Sequence, residues 1–303
     1  MSSRRGHNGD PELNAKNLLE LPAVLAYRHL FHAGNRADVF KHALLTQLLI
    51  ALTQKDKPLF YLDTHAGIGL YDLSLPWAQK NAEFRDGVAR IWTSSDAPVS
   101  LIAYLDAVRA ENRDGALRFY PGSPRIARQL MRSGDRLTLC ELNKSDCAQL
   151  KQLFAGDRQV NVVLEDGFQS LKAFLPPKER RGLILIDSSF DRAGEFARIT
   201  AALEHAHKRF ATGTYAIWYP LMEPIAVRAF ERDISATGIR NILKLELSNL
   251  PVRWQGSFRG SAMLIVNPPF EFERTVTPVL QWLWNALSPD GEGGYQVKWL
   301  VGE

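Results

Sequence analysis

Short apolar runs alternate along the chain with longer segments of helical periodicity. Apolar residues fill successive positions in these runs, as in strands that are buried on both faces of a parallel sheet. The intervening segments repeat apolar residues every three or four positions, as helices covering such a sheet do. In chain order, the runs are PLFYLD (58–63), RLTLCE (136–141), VNVVLED (160–166), GLILID (182–187), TYAIWYP (214–220), ILKLELSNL (242–250) and SAMLIVN (261–267). The pattern predicts an α/β fold with a mostly parallel, doubly wound sheet of seven strands.

The last two runs are separated only by a short segment rich in Gly, Pro and Arg. A parallel connection needs a crossover of about a dozen residues or more, which is usually a helix. We therefore expect these two strands to form an antiparallel pair at the far end of the sheet, so that the last strand is antiparallel.

The remaining segments predict how the chain is organised around the sheet. Asn35 can cap a first helix, with Asp38 at the capping-box position before the apolar stretch VFKHALLTQLLIAL. The amphipathic segment at about 75–122 predicts a helical insertion beside the sheet. Residues 1–26 are polar and predict a mobile N-terminal extension, and residues 27–303 predict one domain.

Composition excludes some classes of protein and leaves many open. The net charge of +4 favours a polyanionic partner only mildly. No apolar run approaches the roughly 20 residues that span a bilayer, and the N-terminus lacks the apolar region of a signal peptide. Cys140 and Cys147 match no metal motif and fit a reducing compartment. We expect a cytoplasmic protein.

Four consecutive predicted strands end in an acidic residue. These residues are Asp63, Glu141, Asp166 and Asp187. A single acid at such a position is most often a helix cap. Ligands of open parallel sheets, however, bind at the carboxyl ends of the strands, where all four acids would lie. Four acids along one edge therefore predict a ligand site.

The segment DTHAGIG (63–69) is a glycine-rich turn between strand and helix. Gly67 and Gly69 allow positive φ and a close approach of the backbone to a ligand. Asp72 stands where a dinucleotide fingerprint has its third glycine, which disfavours a nicotinamide oxidoreductase. Glu141 is placed to bind ribose hydroxyls, and Asp166 is placed to accept from an adenine amine. The pattern suits S-adenosylmethionine.

The segment after the fourth strand has the chemistry that methylation of a base amine requires. The lone pair of such an amine is delocalised into the ring, so acceptors must draw the nitrogen towards tetrahedral geometry. The base must also be extruded and stacked on an aromatic ring. The Asp187 carboxylate, the Ser188 carbonyl and the Phe190 ring have this spacing.

Several longer motifs resemble one known family. They are YRHLFHAGNRADVFKH (27–42), YLDTHAGIGLY (61–71), FYPGSPRIA (119–127), EDGFQSLKAFLPP (165–177), RRGLILID (180–187) and KRFATGTYAIWYP (208–220). From Tyr27 to its end, the chain resembles the bacterial 23S rRNA (adenine-N6) methyltransferase J family, also described as proteins for use of external DNA. The resemblance implies a Rossmann-like class I S-adenosylmethionine-dependent methyltransferase that modifies the N6 of an adenine in 23S rRNA, adenine 2030 of that RNA.

The resemblance also implies roles for individual residues. The S-adenosylmethionine contacts would be His42, His65, Ser123, Glu141, Asp166 and Gly167. Asp187 would be the catalytic acceptor, and Tyr27, Ser188 and Phe190 would bind the substrate. The expected partner is 23S rRNA before or during ribosome assembly, with a monomeric enzyme and neither a membrane nor a metal. Val24 matches the initiator methionine of the family, so residues 1–23 are expected not to contribute to activity.

One motif departs from the family. Its Asp-Pro-Pro-Tyr is Asp187-Ser188-Ser189-Phe190 here. Prolines fix φ, whereas serines leave the loop more flexible and add hydroxyls that compete for the Asp187 carboxylate. We expect slower chemistry, since a misplacement of about 1 Å can reduce a rate about a hundredfold. Two alternatives stay open: a degenerate member that binds cofactor or RNA without turnover, and a DNA adenine methyltransferase or external-DNA utilisation protein.

Two further motifs are weaker evidence of a functional site. NPPF (267–270) fits an amino-methyltransferase signature, but it follows a strand predicted to lie away from the glycine turn. We interpret it as a proline-terminated strand. His29 and His32 form an HxxH pair with no suitably spaced further ligand, which disfavours zinc.

Overall fold

The structure, a computed structural model, describes residues 29–191, 193–250, 258–288 and 290–303. The predictions for residues 1–26 and Tyr27 lie outside these residues. The strands are β1 (Phe60–Asp63), β2 (Leu70–Asp72), β3 (Phe119–Pro121), β4 (Arg136–Glu141), β5 (Val160–Leu164), β6 (Gly182–Ile186), β7 (Thr214–Leu221), β8 (Ile242–Ser248), β9 (Gly260–Val266) and β10 (Gly294–Val301). The helices are α1 (Arg36–Thr53), α2 (Pro76–Asn81), α3 (Val99–Ala110), α4 (Ser123–Leu130), α5 (Lys144–Leu153), α6 (Gly167–Phe174), α7 (Glu195–Arg209), α8 (Pro224–Ala236) and α9 (Phe272–Leu287).

Eight of the described strands form one sheet, in the order β10-β8-β9-β7-β6-β1-β4-β5. Strands β5, β4, β1, β6 and β7 are parallel to one another. Helices cover both faces, with one hydrophobic core around α1 and α9 and another around α7 and α8. The mostly parallel, Rossmann-like α/β class is confirmed. The strand order reverses between β1 and β6, which is where such sheets bind ligands.

The reversed strands differ in two ways from the prediction. Strands β8 and β9 do pair antiparallel, but β9 is not at the far end, because it lies between β7 and β8. An eighth strand, β10, pairs antiparallel with β8 at the edge of the sheet. In β10, GYQVKWLV, the apolar residues are interrupted by Gln296 and Lys298 and none of the eight residues is buried, so it lacks the continuous apolar run that marks the other strands.

Helix α1 is buried over most of its length. The Asn35 side chain accepts a hydrogen bond from the Asp38 amide, as the capping pattern predicts. The helix packs between the sheet and other helices, so its charged residues Asp38 and Lys41 are buried together with the apolar ones. The segment between β2 and β3 carries α2 and α3, and these two strands pair at its base. No helix in the described part of the chain is long and apolar enough to span a membrane.

Candidate functional site

A cavity of about 220 Å³ opens at the carboxyl ends of the parallel strands. Predicted site residues that line it are His42, His65, Ser123, Glu141, Asp166, Gly167, Asp187 and Ser188. The glycine turn after β1 and the loop after β6 thus face the same space. Phe190 is not among the lining residues, and Tyr27 lies outside the described part of the chain.

The Glu141 carboxylate is held against the glycine turn. Its two oxygens accept hydrogen bonds from the backbone amides of Gly67, at 2.9 Å, and Asn143, at 2.7 Å. Gly67 has a φ of 61°, and a side chain there would collide with the Tyr71 hydroxyl. Burial raises the pKa of the Glu141 carboxyl. The turn therefore presents a fixed acceptor to the cavity, as the hydroxyls of a ribose require.

Asp166 has two roles at the start of α6. Its Oδ1 caps the helix by accepting from the amides of Phe168 and Gln169, at 2.9 and 3.2 Å. Its Oδ2 lies 3.4 Å from an Arg198 nitrogen. The next residue, Gly167, approaches the Thr64 carbonyl so closely that a Cβ would collide with it. Helix α6 thus sits directly against the turn that follows β1.

The two predicted histidines, His42 buried and His65 partly buried, have environments that favour neutral rings. Burial lowers the pKa of His42, and its Nδ1 lies 2.7 Å from the Tyr120 hydroxyl. Burial also lowers the pKa of His65, whose Nδ1 lies 2.8 Å from the Thr64 hydroxyl. These contacts fix the orientation of each ring at the cavity wall.

Asp63 anchors the turn from beneath. It is fully buried and accepts hydrogen bonds from the Tyr61 hydroxyl, at 2.9 Å, and the His65 amide, at 3.2 Å. Burial raises the pKa of Asp63 to about 6, although interactions with Ser123 and Tyr61 oppose that rise. The acid that ends β1 therefore supports the site without lining the cavity.

Asp187, directly after β6, is paired with Lys41 of α1. The Lys41 Nζ lies 2.5 Å from Asp187 Oδ2 and 3.0 Å from Asp38 Oδ1. Burial alone would lower the pKa of Lys41, but the two carboxylates outweigh it and raise that pKa. The sequence interpretation missed this role of Lys41. The available signal was a lysine inside the apolar stretch of a buried helix, because a buried ammonium needs an acidic partner.

The loop after β6 differs from the prediction for its serines. The Ser188 hydroxyl donates to the Glu195 carboxylate, and the Ser189 hydroxyl donates to Asp191 Oδ1 at 2.5 Å. The expected competition for the Asp187 carboxylate is therefore wrong, because other acids bind both hydroxyls.

Phe190 packs beside the site. Its φ is 53°, and its ring lies edge-to-face against the rings of Phe196 and Trp218, with centroids 5.1 and 5.9 Å apart. Stacking of a base on Phe190 stays a prediction.

The two weaker motifs have structural roles. The Asn267 amide donates to the carbonyls of Ala211 and Gly213, both at 2.8 Å. Because β9 is antiparallel to β7, NPPF lies at the end of the strands opposite the cavity. His29 contacts Asp38 and His32 contacts Glu83, each at 2.9 Å. Among the described residues, no three His, Cys, Asp or Glu side chains are grouped to hold a metal ion.

Comparison with known proteins gives consistent results. The family model described as ribosomal RNA large subunit methyltransferase D, RlmJ, matches residues 56–301. Ribosomal RNA large subunit methyltransferase J of Escherichia coli K12 is 45% identical over 280 residues, which cover 92% of this chain and 100% of that protein. The protein of the same name from Haemophilus influenzae is 43% identical over 281 residues, again 92% and 100% of the two chains.

A solved structure is also similar. The crystal structure of a Legionella pneumophila protein superposes with a TM-score of 0.83 at 37% identity, over 88% of this chain and 98% of that one. The family match spans most of the chain, and the two curated relatives are covered completely. This chain therefore belongs to the ribosomal RNA large subunit methyltransferase J (RlmJ) family.

Proposed function

We propose that this protein transfers a methyl group from S-adenosylmethionine to the N6 of an adenine in 23S rRNA. One observation carries the proposal: a single cavity at the switch in strand order joins the Glu141 and Asp166 carboxylates to the Asp187–Lys41 pair. The names of the curated relatives support ribosomal RNA as the substrate.

The residues of the cavity fit S-adenosylmethionine. Glu141 is held by two backbone amides and has acceptor capacity left for ribose hydroxyls. Gly67 gives the turn its shape, because a side chain there would collide with the Tyr71 hydroxyl. Neutral rings of His42 and His65 add no positive charge beside a cationic ligand. When bound, S-adenosylmethionine supplies an electrophilic methyl group on a sulfonium sulfur.

Asp187 and Ser188 are the groups that we assign to the adenine amine. Lys41 binds Asp187 Oδ2, which leaves Oδ1 to accept a hydrogen bond from the amine. The Ser188 carbonyl is the second acceptor. Together they would draw the nitrogen lone pair out of the ring and towards the methyl carbon, and Asp187 is placed to take the proton that the nitrogen releases.

The test is methyl transfer from labelled S-adenosylmethionine to unmodified 23S rRNA and, separately, to DNA. We expect transfer to the RNA, and we expect Asp187→Asn to reduce it at least about a hundredfold because an acceptor carboxylate is lost. Asp233→Asn is the matched control, since it makes the same change at an exposed acid of α8 that does not line the cavity. Transfer to DNA alone would refute the proposal. Cofactor binding without transfer would instead support the degenerate binding protein.

We infer further that the enzyme acts as a monomer in the cytoplasm, on 23S rRNA before or during ribosome assembly. The cavity supports the part of this inference that concerns the RNA. It lies at the carboxyl ends of the strands, so an adenine must leave its stack to reach Asp187. Protein-free 23S rRNA should therefore be methylated faster than mature large subunits. We also propose that residues 27–303 form the methyltransferase domain and that residues 1–23 do not contribute to transfer.

A further inference from the structure

The Ser188 side chain is hydrogen-bonded to α7, the helix that follows its loop. Ser188 is 3% exposed, and its hydroxyl donates to Glu195 at the start of α7. A hydrogen bond from a buried hydroxyl to a carboxylate is stronger than one between neutral groups. The hydrogen bond of its side chain therefore holds Ser188 in place. Without that bond, the two serines would leave the loop backbone flexible.

Glu195 is itself fixed by two further features. It is the first residue of α7, where the helix dipole favours a negative charge. Its second oxygen, Oε2, accepts from Arg198 Nη1 at 2.9 Å, one turn along the helix. One oxygen thus holds Ser188 and the other holds Arg198, so the carboxylate cannot rotate without breaking a contact.

Arg198 connects this pair to the other end of the cavity. Its guanidinium lies over the Phe168 ring, 4.7 Å from the centroid, and its Nη2 lies 3.4 Å from Asp166 Oδ2. The polar chain Ser188–Glu195–Arg198–Asp166 runs along the cavity wall from the loop after β6 to the cap of α6. All four side chains line the cavity.

We infer that Glu195 is a positioning residue for methyl transfer. By holding the Ser188 side chain, it fixes the position of Ser188 and hence the direction of the Ser188 carbonyl, which belongs to the peptide between Ser188 and Ser189. This inference rests on the proposed function, which assigns that carbonyl to the adenine amine. The two Glu195 oxygens are engaged by Ser188 and Arg198, so we assign its effect to its hold on Ser188.

A proline at position 188 provides a test that separates this role from simple stabilisation of α7. Proline fixes φ near −65° through its ring and has no hydroxyl for Glu195 to bind. It is also the residue that the resembled family has at this position. With Ser188→Pro in place, the loop would be rigid without Glu195, so Glu195 would no longer matter for the rate.

The experiment is a set of kcat measurements on 23S rRNA. Ser188→Ala and Glu195→Ala should each lower kcat about tenfold, and the double variant should fall no further, because neighbours that act as a unit are not additive. Glu195→Ala should cost little in the Ser188→Pro background. Glu195→Gln should restore most of kcat, since its amide keeps a hydrogen bond to Ser188 in either orientation. Losses that multiply, or an equal loss in the proline background, would overturn the inference.

A second measurement needs no substrate. Amide hydrogen exchange at residues 189–191 should be faster in Ser188→Ala and Glu195→Ala than in the unaltered protein, and unchanged when Glu195→Ala is added to Ser188→Pro. If the unaltered protein transferred no methyl group to 23S rRNA, the proposed function would fail while exchange still decided whether Glu195 holds the loop. Equal exchange in all variants would overturn the inference even in an active enzyme. Ser188→Ala removes one hydroxyl only and serves if the Glu195 variants do not fold.

Discussion

At the scale of residues, Lys41 has the most demanding environment in the site. Lys41 is 4% exposed, and its ammonium forms ion pairs with two carboxylates, those of Asp38 and Asp187. Removing one partner of a buried ion pair is strongly destabilising, because the remaining charge has no counterion. Lys41→Met should therefore lower the free energy of unfolding by about 3–5 kcal/mol. Urea denaturation measures this change.

Asp187→Ala is the matched control for Lys41. It removes a carboxylate but leaves Lys41 paired with Asp38, so its stability loss should be clearly smaller than that of Lys41→Met. Equal losses from the two substitutions would mean that Asp38 does not compensate the ammonium. Methyl transfer should fall in both variants, which shows why stability and not rate is the informative quantity here.

Asp63 makes stability depend on pH in an unusual direction. Burial raises the pKa of Asp63 to about 6, whereas the same carboxyl in the unfolded chain has a pKa of about 4. The folded state therefore keeps a proton that the unfolded state has already lost, so this stabilising contribution is complete below pH ~4 and disappears as the pH rises through ~6. The stability advantage of Asp63 over Asp63→Asn should shrink by about 3 kcal/mol between those limits. Parallel urea-denaturation profiles of the two proteins against pH would contradict this.

Local sequence identified part of the residue-scale site. Glu141, Asp166 and Asp187 were predictable because each follows an apolar run whose direction in the sheet is known. Lys41 was not, since 146 residues separate it from Asp187 and only packing of α1 on the sheet brings them together. The partner of the Ser188 hydroxyl was also missed, because it depends on how α7 enters the cavity wall.

At the scale of elements, the contact between α6 and the turn after β1 determines the shape of the cavity. Gly167→Ala places a Cβ against the Thr64 carbonyl, so the start of α6 must move together with Asp166. We expect a loss of about 1–3 kcal/mol in stability from the overpacking, together with weaker S-adenosylmethionine binding. Thermal unfolding and calorimetric titration measure the two effects.

Gly134→Ala is the matched control for this change. A Cβ at Gly134 meets no atom within 4 Å, so the substitution should change stability by less than about 0.5 kcal/mol and leave cofactor binding unaltered. Identical cofactor affinities in the two alanine variants would show that α6 tolerates the displacement. Sequence alone does not separate these two glycines, because the difference lies in what the folded chain places beside each of them.

At the scale of the whole molecule, the direction of one strand decides which of two similar motifs lies at the cavity. Asn267→Gly removes two hydrogen bonds to the start of β7 but tolerates the positive φ of 51° at that position. We expect it to lower stability by about 1–3 kcal/mol and to leave kcat unchanged, whereas Asp187→Asn should lower kcat sharply in addition to weakening the ion pair with Lys41. Steady-state kinetics and urea denaturation on both variants test the pair of expectations. A large fall in kcat for Asn267→Gly would return NPPF to consideration.

The overall architecture was largely predictable, since a buried parallel sheet requires continuous apolar strands and these were visible. The exceptions were the position of β9 and the existence of β10. The position of β9 depends on its pairing with β7, a contact between distant segments that local sequence does not encode. Strand β10 lies at the sheet edge, where exposure weakens the apolar signal.

Strand β10 also determines where the chain ends. Because β10 is antiparallel to β8, Gly302 lies beside Asn241, at the end of the strands opposite the cavity. A fluorescent label or a surface tether joined after Glu303 would therefore project away from the bound RNA. Protein immobilised by that end would keep its cavity accessible to a large ligand, which makes single-molecule observation of binding practical.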